Sequence, residues 1–299
     1  MNECTKVIVF NSHGVGMYVT LPRLPNEGET LRGRNWRMED DGGKGSNFAV
    51  ALGRLKVSTA FVCRVGGDLF ARMGRDWMTA AGIDLSHYEM SPEIHTGVGL
   101  VMLLPNGSNT ILCSERRKCP MAAYEVAAAF HDYPNAKYFV TGFEIGVDDP
   151  LEAARLAKER GLTVLLNPSP LPDYELAPMP FVDYLFINEV EARGLLGGEY
   201  EDAANRVRQK YEVGAVILTL GAEGSVLCDK TGTSKFDAPK VEAVNTTGAG
   251  DGYMAAFTAC LVWGNDPDTA ARRANVYAAH TVTVDGTISG YPQLGELKF

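Results

Sequence analysis

Short apolar runs alternate with stretches whose apolar positions recur at helical spacing along most of this chain. Residues 6–10 read as a buried strand ending in a small polar cluster, Asn11-Ser12-His13-Gly14. A glycine turn over 42–47 leads into helical character over 48–55, with Ala49 and Ala51 among its helix formers. The β-rich run 59–65 predicts a strand. Residues 68–81 predict a helix stopped at Gly82, because glycine readily takes the left-handed conformation that ends helices. From 137 onward, strands over 138–141, 162–166, 184–187 and 216–220 alternate with helices over 150–160, 189–196 and 203–211. Residues 225–229 start an antiparallel edge, and 251–262 and 267–284 form the last long helices. This alternation implies an α/β fold, with a central, mostly parallel sheet and helices on both faces. Such sheets bind ligands at the carboxyl ends of their strands.

One segment breaks the rhythm. Residues 97–104 and 110–113 are strands around Pro105-Asn106-Gly107-Ser108, and Asn-Gly is a strong hairpin signal. A hairpin inside a βα alternation marks an added flap, and 15–21 offers a further strand for the same small sheet. With 299 residues, the length fits one large domain spanning 1–299, with lid strands inserted near 15–40 and 96–115.

Composition narrows the function. The formal charge of −9 argues against nucleic acid as a partner, since a phosphate-binding surface needs positive potential. A single nucleotide needs only a few local donors. No apolar run approaches the length of a membrane span, and the first residues lack a signal peptide's basic-then-apolar layout. The six cysteines form no CxxC pair and have no histidines at zinc-site spacing, which reads as reduced thiols in a cytoplasmic protein. The sequon Asn245-Thr246-Thr247 is then a chance match.

Four motifs could carry chemistry. Gly248-Ala249-Gly250-Asp251 lies between a β-like run and an alanine-rich helix. Its glycines allow close backbone approach, and the N–H groups of the following helix make an anion site, with Asp251 in the first turn as base or cap. Gly42-Gly43-Lys44-Gly45-Ser46-Asn47 is a phosphate-type loop without the Ser or Thr after lysine that a Walker A sequence requires, or simply a tight turn. Asn188 and Glu191, three residues apart on one helical turn, offer hard oxygens suited to hydrated Mg²⁺, or a capping box. Thr219-Leu220-Gly221-Ala222-Glu223-Gly224 ends a strand with small residues against which a nucleotide could lie, or makes an ordinary turn. No dinucleotide fingerprint is complete.

Taken in order, Gly42-Gly43-Lys44-Gly45-x-Asn47, Asn188-x-x-Glu191, Thr219-x-Gly221-x-x-Gly224 and Thr247-Gly248-Ala249-Gly250-Asp251 resemble the ribokinase-like (PfkB) carbohydrate kinase family. The similarity runs from Val7 to about Pro292 and includes Arg23-Leu24-Pro25, Gly66-Gly67-Asp68 and Leu166-Asn167-Pro168. The resemblance implies a ribokinase-like α/β core with a small β lid. It also implies transfer of the γ-phosphate of ATP to a hydroxyl of a sugar or sugar-like molecule. Asp251 would be the base, and the N–H groups of 248–251 (Gly248, Ala249, Gly250 and Asp251) an anion hole. Asn188 and Glu191 would hold Mg²⁺ through water. Thr219, Gly221, Gly224 and Thr247 would border the nucleotide, with Asn275 beside the adenine. Gly42, Gly43, Lys44, Asn47 and Glu144 would contact the acceptor.

Two departures stand out against the resemblance. Gly14 and Gly16 occupy positions where ribokinases carry Asn and Asp that bind sugar hydroxyls, which argues against ribose itself. His13, Arg116 or Arg117 could supply replacement contacts, suiting a modified or acidic acceptor. Asn245 replaces the Asp of K⁺-activated relatives, keeping an oxygen but losing the charge, so K⁺ dependence stays open. A nucleoside kinase of the same family and a regulator without catalysis are the alternative readings. An exposed small sheet with an apolar strand over 97–104 also suggests a homodimer formed through the lid.

Overall fold

The computed structural model describes residues 5–38, 40–105, 109–114 and 121–297. Its first strand, Val7–Phe10 (β1), shows how the core is built. Val7 and Val9 pack on one face of the sheet and Ile8 and Phe10 on the other, as the two-residue repeat of a strand requires. All four are buried, so the run is continuously apolar.

The other strands of that sheet are Thr59–Gly66 (β4), Asp84–Ser91 (β5), Tyr138–Gly142 (β8), Thr163–Asn167 (β9), Tyr184–Asn188 (β10), Ala215–Thr219 (β11), Ser225–Asp229 (β12) and Gly232–Phe236 (β13). The order is β13-β12-β11-β10-β9-β8-β1-β4-β5. Pairing is parallel from β11 across to β5 and antiparallel for β12 and β13. One face carries helices Gly43–Arg54 (α1), Leu69–Ala80 (α2), Ala249–Val262 (α7) and Pro267–Thr281 (α8). The other carries Ala123–Ala129 (α3), Asp148–Glu159 (α4), Glu189–Leu196 (α5) and Ala203–Tyr211 (α6). Fully buried Ala255, Ala256 and Ala259 of α7 share a core with Ala270, Ala271 and Ala274 of α8, where small side chains let the helices approach closely.

A second sheet holds Gly14–Thr20 (β2), Arg34–Met38 (β3), Gly97–Leu103 (β6) and Asn109–Cys113 (β7), ordered β3-β2-β6-β7. It is the small β lid. β2 and β6 pair in parallel from Gly14↔Gly97 to Thr20↔Leu103, and Val19, Leu21 and Met102 form its own small core. Only residues 11–13 separate β2 from β1, so the lid rises directly from the carboxyl end of the main sheet.

One expectation needs correcting. The 42–47 segment is not a turn before a helix: Gly42 is the N-cap and helix α1 begins at Gly43. The glycines that suggested a turn are there for close approach. A Cβ on Gly45 would stand 2.3 Å from the Ser12 carbonyl oxygen, so glycine lets the first turn of α1 press against the end of β1. Asp68 caps α2 by accepting the Ala71 N–H (3.0 Å), and Gly82 ends it with φ +78°. β3, β5, β13 and α3 were not foreseen. Residues 106–108 of the expected turn, and Arg116 and Arg117, lie outside the described residues.

Candidate active site

Parallel strands deliver their carboxyl ends to one edge of the sheet, where β1, β8, β10 and β11 present Ser12, Glu144, Asn188 and Thr219. The amino ends of α1 and α7 bring Gly42–Asn47 and Gly248–Asp251 to the same edge. A cleft there is lined by Lys44, Asn188, Glu191, Thr219, Gly250 and Asp251, among others.

Asp251 is the centre of this arrangement. Its side chain is 13% exposed, and Lys44 Nζ lies 3.9 Å from its Oδ1. Asn47 Nδ2 donates to its Oδ2 (3.2 Å). Burial raises the Asp251 carboxyl to a pKa of about 7; Lys44 and Asn47 oppose the rise, while the charges of Glu144 and Asp41 add to it. Burial pulls the Lys44 ammonium down, but Asp251, Glu144, Glu191 and Asp41 together hold it above its usual value.

The turn before Asp251 leaves backbone donors open at the amino end of α7. Gly248 caps α7 in the left-handed conformation (φ +74°), and the Tyr291 hydroxyl donates to its carbonyl (3.1 Å). A Cβ at Gly248 would stand 2.4 Å from Thr287 and 2.5 Å from the Tyr291 oxygen. Among the described residues, the N–H groups of Gly250 and Asp251 have no backbone partner, so they and the positive end of the helix dipole face the cleft. Thr247 meets the lid, where the Tyr18 hydroxyl donates to its Oγ1 (3.5 Å).

On the facing side, Glu144 Oε2 accepts the Lys44 N–H (2.9 Å) and the Ser12 hydroxyl. Asn47 Oδ1 accepts the Gly42 N–H (2.9 Å), while its Nδ2 also donates to Asp41 Oδ1 (2.9 Å). Asn188 and Glu191 do form a capping box, with Glu191 Oε2 accepting the Asn188 N–H and Asn188 Oδ1 accepting the Glu191 N–H. They line the cleft at the same time. Gly221 and Gly224 shape the turn from β11 into β12 beside Thr219, both with positive φ.

Two expected residues stand apart from this group. His13 is buried, with Nδ1 against Ser46 Oγ (2.8 Å) and Nε2 against the Phe70 carbonyl (2.9 Å). A Cβ on Gly74 would stand 2.1 Å from the imidazole, so the ring is packed under α2. Asn275 is buried as well, donating to Ser225 Oγ (3.1 Å) and the Phe236 carbonyl (3.0 Å) within the core. Three residues of the site were not foreseen. Asp41 and Ser12 sat in the acidic run before Gly42 and in the polar cluster after β1. Tyr291 follows the last helix and carries no sequence signal.

The profile of the pfkB family of carbohydrate kinases matches residues 16–294. The chain belongs to that family. The kinase is 29% identical to the deoxyribokinase of Salmonella typhimurium over 298 residues, covering 98% of this chain and 97% of that one. It is likewise 29% identical to the ribokinase of Staphylococcus aureus, with 98% of each chain covered. The structure of Arabidopsis thaliana ribokinase complexed with ribose and ATP superposes with a TM-score of 0.81 at 26% identity, covering 97% and 96% of the two chains. This chain is therefore an ATP-dependent carbohydrate kinase, as its motifs implied.

Proposed function

We propose that this kinase phosphorylates a hydroxyl of a small sugar or polyol, with Asp251 as the general base. The observation that carries the reading is the Asp251 carboxylate, buried beside Lys44 at the amino end of α7 with a pKa raised to about 7. A base poised near the operating pH is ionised in a large share of molecules yet basic enough to take a hydroxyl proton. The acceptor oxygen forms its bond to the γ-phosphorus as the bond to the β-phosphate oxygen breaks, and the proton passes to Asp251. ADP leaves. The N–H groups of Gly250 and Asp251 stabilise charge on the transferring group, and the Lys44 ammonium lies beside it. The deoxyribokinase and ribokinase relatives support a small sugar as acceptor.

Mg²⁺ fits the hard oxygens of Asn188 and Glu191. Among the described residues no cluster of three His, Cys, Asp or Glu could hold a metal, so these two would act through water and phosphate oxygens would supply other ligands. The ion would neutralise phosphate charge. No described helix is long and apolar enough to cross a membrane, and the unbridged thiols of Cys113, Cys228 and Cys260 support a cytoplasmic location. Exposed Trp36, Met38 and Leu112 on the outer strands of the lid support a homodimer through that sheet, and sedimentation showing only monomer at micromolar concentration would contradict it.

The kinase reading is tested by ADP release across a panel of sugars, polyols and nucleosides, with and without K⁺. The K⁺ arm matters because Asn245 Oδ1 is engaged by the Thr247 N–H (2.9 Å). ATP binding without turnover on any acceptor would favour a non-catalytic regulator.

A further inference from the structure

Asp40 and Asp41 are neighbours that point to different tasks. The Asp40 carboxylate accepts the N–H of Thr287 (2.8 Å) and of Ser289, and its carbonyl accepts the Ile288 N–H (3.0 Å). That pins the backbone entering α1 to the loop after α8. The Asp41 carbonyl accepts the Gly16 N–H (3.0 Å), and its Oδ1 accepts Gly43 N–H (3.2 Å) and Asn47 Nδ2 (2.9 Å). Its Oδ2 has no donor among the described residues and leans over Gly16. A Cβ on Gly16 would stand 3.0 Å from that oxygen and 3.1 Å from the Asp41 Cβ, so the absence of a side chain at Gly16 provides the space the carboxylate fills.

Helix capping accounts for one oxygen of Asp41 and leaves the other unexplained. The carboxylate also stands among like charges, since Asp251 shares the Asn47 amide with it and Glu144 lies across the same pocket, against one Lys44. Such crowding is a cost to the empty protein that a hydroxyl donated to Oδ2 by a bound ligand would offset. We propose that Asp41 is a specificity-determining residue whose Oδ2 accepts a second hydroxyl of the acceptor, close to the one that is phosphorylated. The proposal rests on the kinase reading above. It assigns the acceptor to neutral molecules with adjacent hydroxyls, because three carboxylates facing one ammonium disfavour a carboxylated or phosphorylated acceptor. It also gives the pocket a polar anchor despite Gly14 and Gly16, from the segment before α1 instead of from β2.

The test uses the full-length enzyme, with D-ribose and the analogues lacking its 2- or 3-hydroxyl as probes. Sugar Kd is read by calorimetry without nucleotide, and kcat and KM by ADP release. Asp41→Ala should weaken the binding of D-ribose and its kcat/KM by about a hundredfold or more, because a site built around a hydroxyl loses that much with the bond, while KM for ATP stays put. The wild type should reject one deoxy analogue, and Asp41→Ala should bind it as well as it binds D-ribose. In Asp41→Asn the acid limb of kcat/KM should move to lower pH, since one of the charges facing Asp251 is gone while Lys44 and Glu144 remain. Gly16→Ala, which displaces the carboxylate without removing it, should weaken sugar binding too, and the double variant should be no worse than Asp41→Ala alone. Unchanged sugar Kd and unchanged discrimination in both single variants would overturn the proposal and leave Asp41 as a helix cap. Sugar binding without phosphorylation by the wild type would instead refute the kinase reading, with Asp41 still judged by Kd.

Discussion

Replacing Asp251 by Asn removes a proton acceptor while keeping the shape of the side chain, and it should act in opposite directions on catalysis and on stability. A positioned general base contributes roughly 10²- to 10⁴-fold, so kcat should fall by about that factor. The wild-type acid limb should centre at about pH 7, where the buried carboxyl ionises, and the residual activity of the variant should lose that limb. Stability follows from the same burial. The folded state holds the Asp251 proton to about pH 7, against 3.8 for an ordinary aspartate. The stability carried by the protonated form is therefore fully present below pH 3.8 and lost as pH rises through 7. That difference in proton affinity corresponds to about 4 kcal/mol. Asparagine never ionises, so the variant should match the wild type near pH 4 and exceed it by about 4 kcal/mol above pH 8. Urea unfolding at both pH values measures the gap, and a coupled assay at pH 8 measures kcat. A variant kcat within tenfold of wild type would refute the role of base. Equal stabilities at pH 8 would refute the argument that burial holds the carboxyl near neutrality.

Lys44→Met removes the cation that opposes the burial of Asp251, so the acid limb of kcat/KM should move above pH 7 and activity at pH 7 should drop; an unmoved limb in a pH profile would count against the pairing. Gly248→Ala forces a side chain into the left-handed region and into Thr287 and Tyr291, and should lower kcat sharply and stability by about 2 kcal/mol or more, read by steady-state kinetics and urea unfolding. His13→Gln should bear on stability against pH. Burial lowers the His13 pKa, outweighing the Phe70 and Gly42 carbonyls and the charges of Asp68 and Asp41 that raise it, so its stability contribution is present above pH 6.5 and lost as pH falls through the folded value. The stability of the variant relative to wild type should then rise as pH falls below 6.5, as measured by melting temperature.

The main sheet was legible because its strands are apolar on both faces and its helices are punctuated by glycine and proline. Residues 225–229 were even read as the start of an antiparallel edge, and β12 pairs antiparallel both with β11 and with the edge strand β13. β3 was not legible, since all five residues of Arg34–Met38 are exposed and no burial pattern marks them. β5 was hidden by mixed polarity at the edge of the sheet. At the site, residues inside glycine motifs announced themselves through the constraint on the backbone. Asp41 did not, because its meaning depends on a strand over twenty residues away that approaches only through a missing side chain at Gly16. His13 misled for a related reason. A polar residue at the carboxyl end of a strand resembles a ligand in sequence, and only packing reveals that Ser46 and Phe70 already satisfy both ring nitrogens.

Asn47 shows why the two halves of the site depend on each other. It is almost fully buried, and its Oδ1 accepts the Gly42 N–H, which fixes which way round the amide sits. Nδ2 is then committed to donate, and it donates to Asp41 and to Asp251 at once. A carboxylate in that position could not bond either partner and would add a further negative charge among Asp41, Glu144 and Asp251. The amide also needs α1 to begin against the end of β1, which Gly45 permits by carrying no Cβ where Ser12 passes. The same short glycine-rich run therefore sets the orientation of Asp251, the proposed base, and of the carboxylate proposed to read the neighbouring hydroxyl. A change on the acceptor side consequently reaches the ionisation of Asp251 through one shared nitrogen.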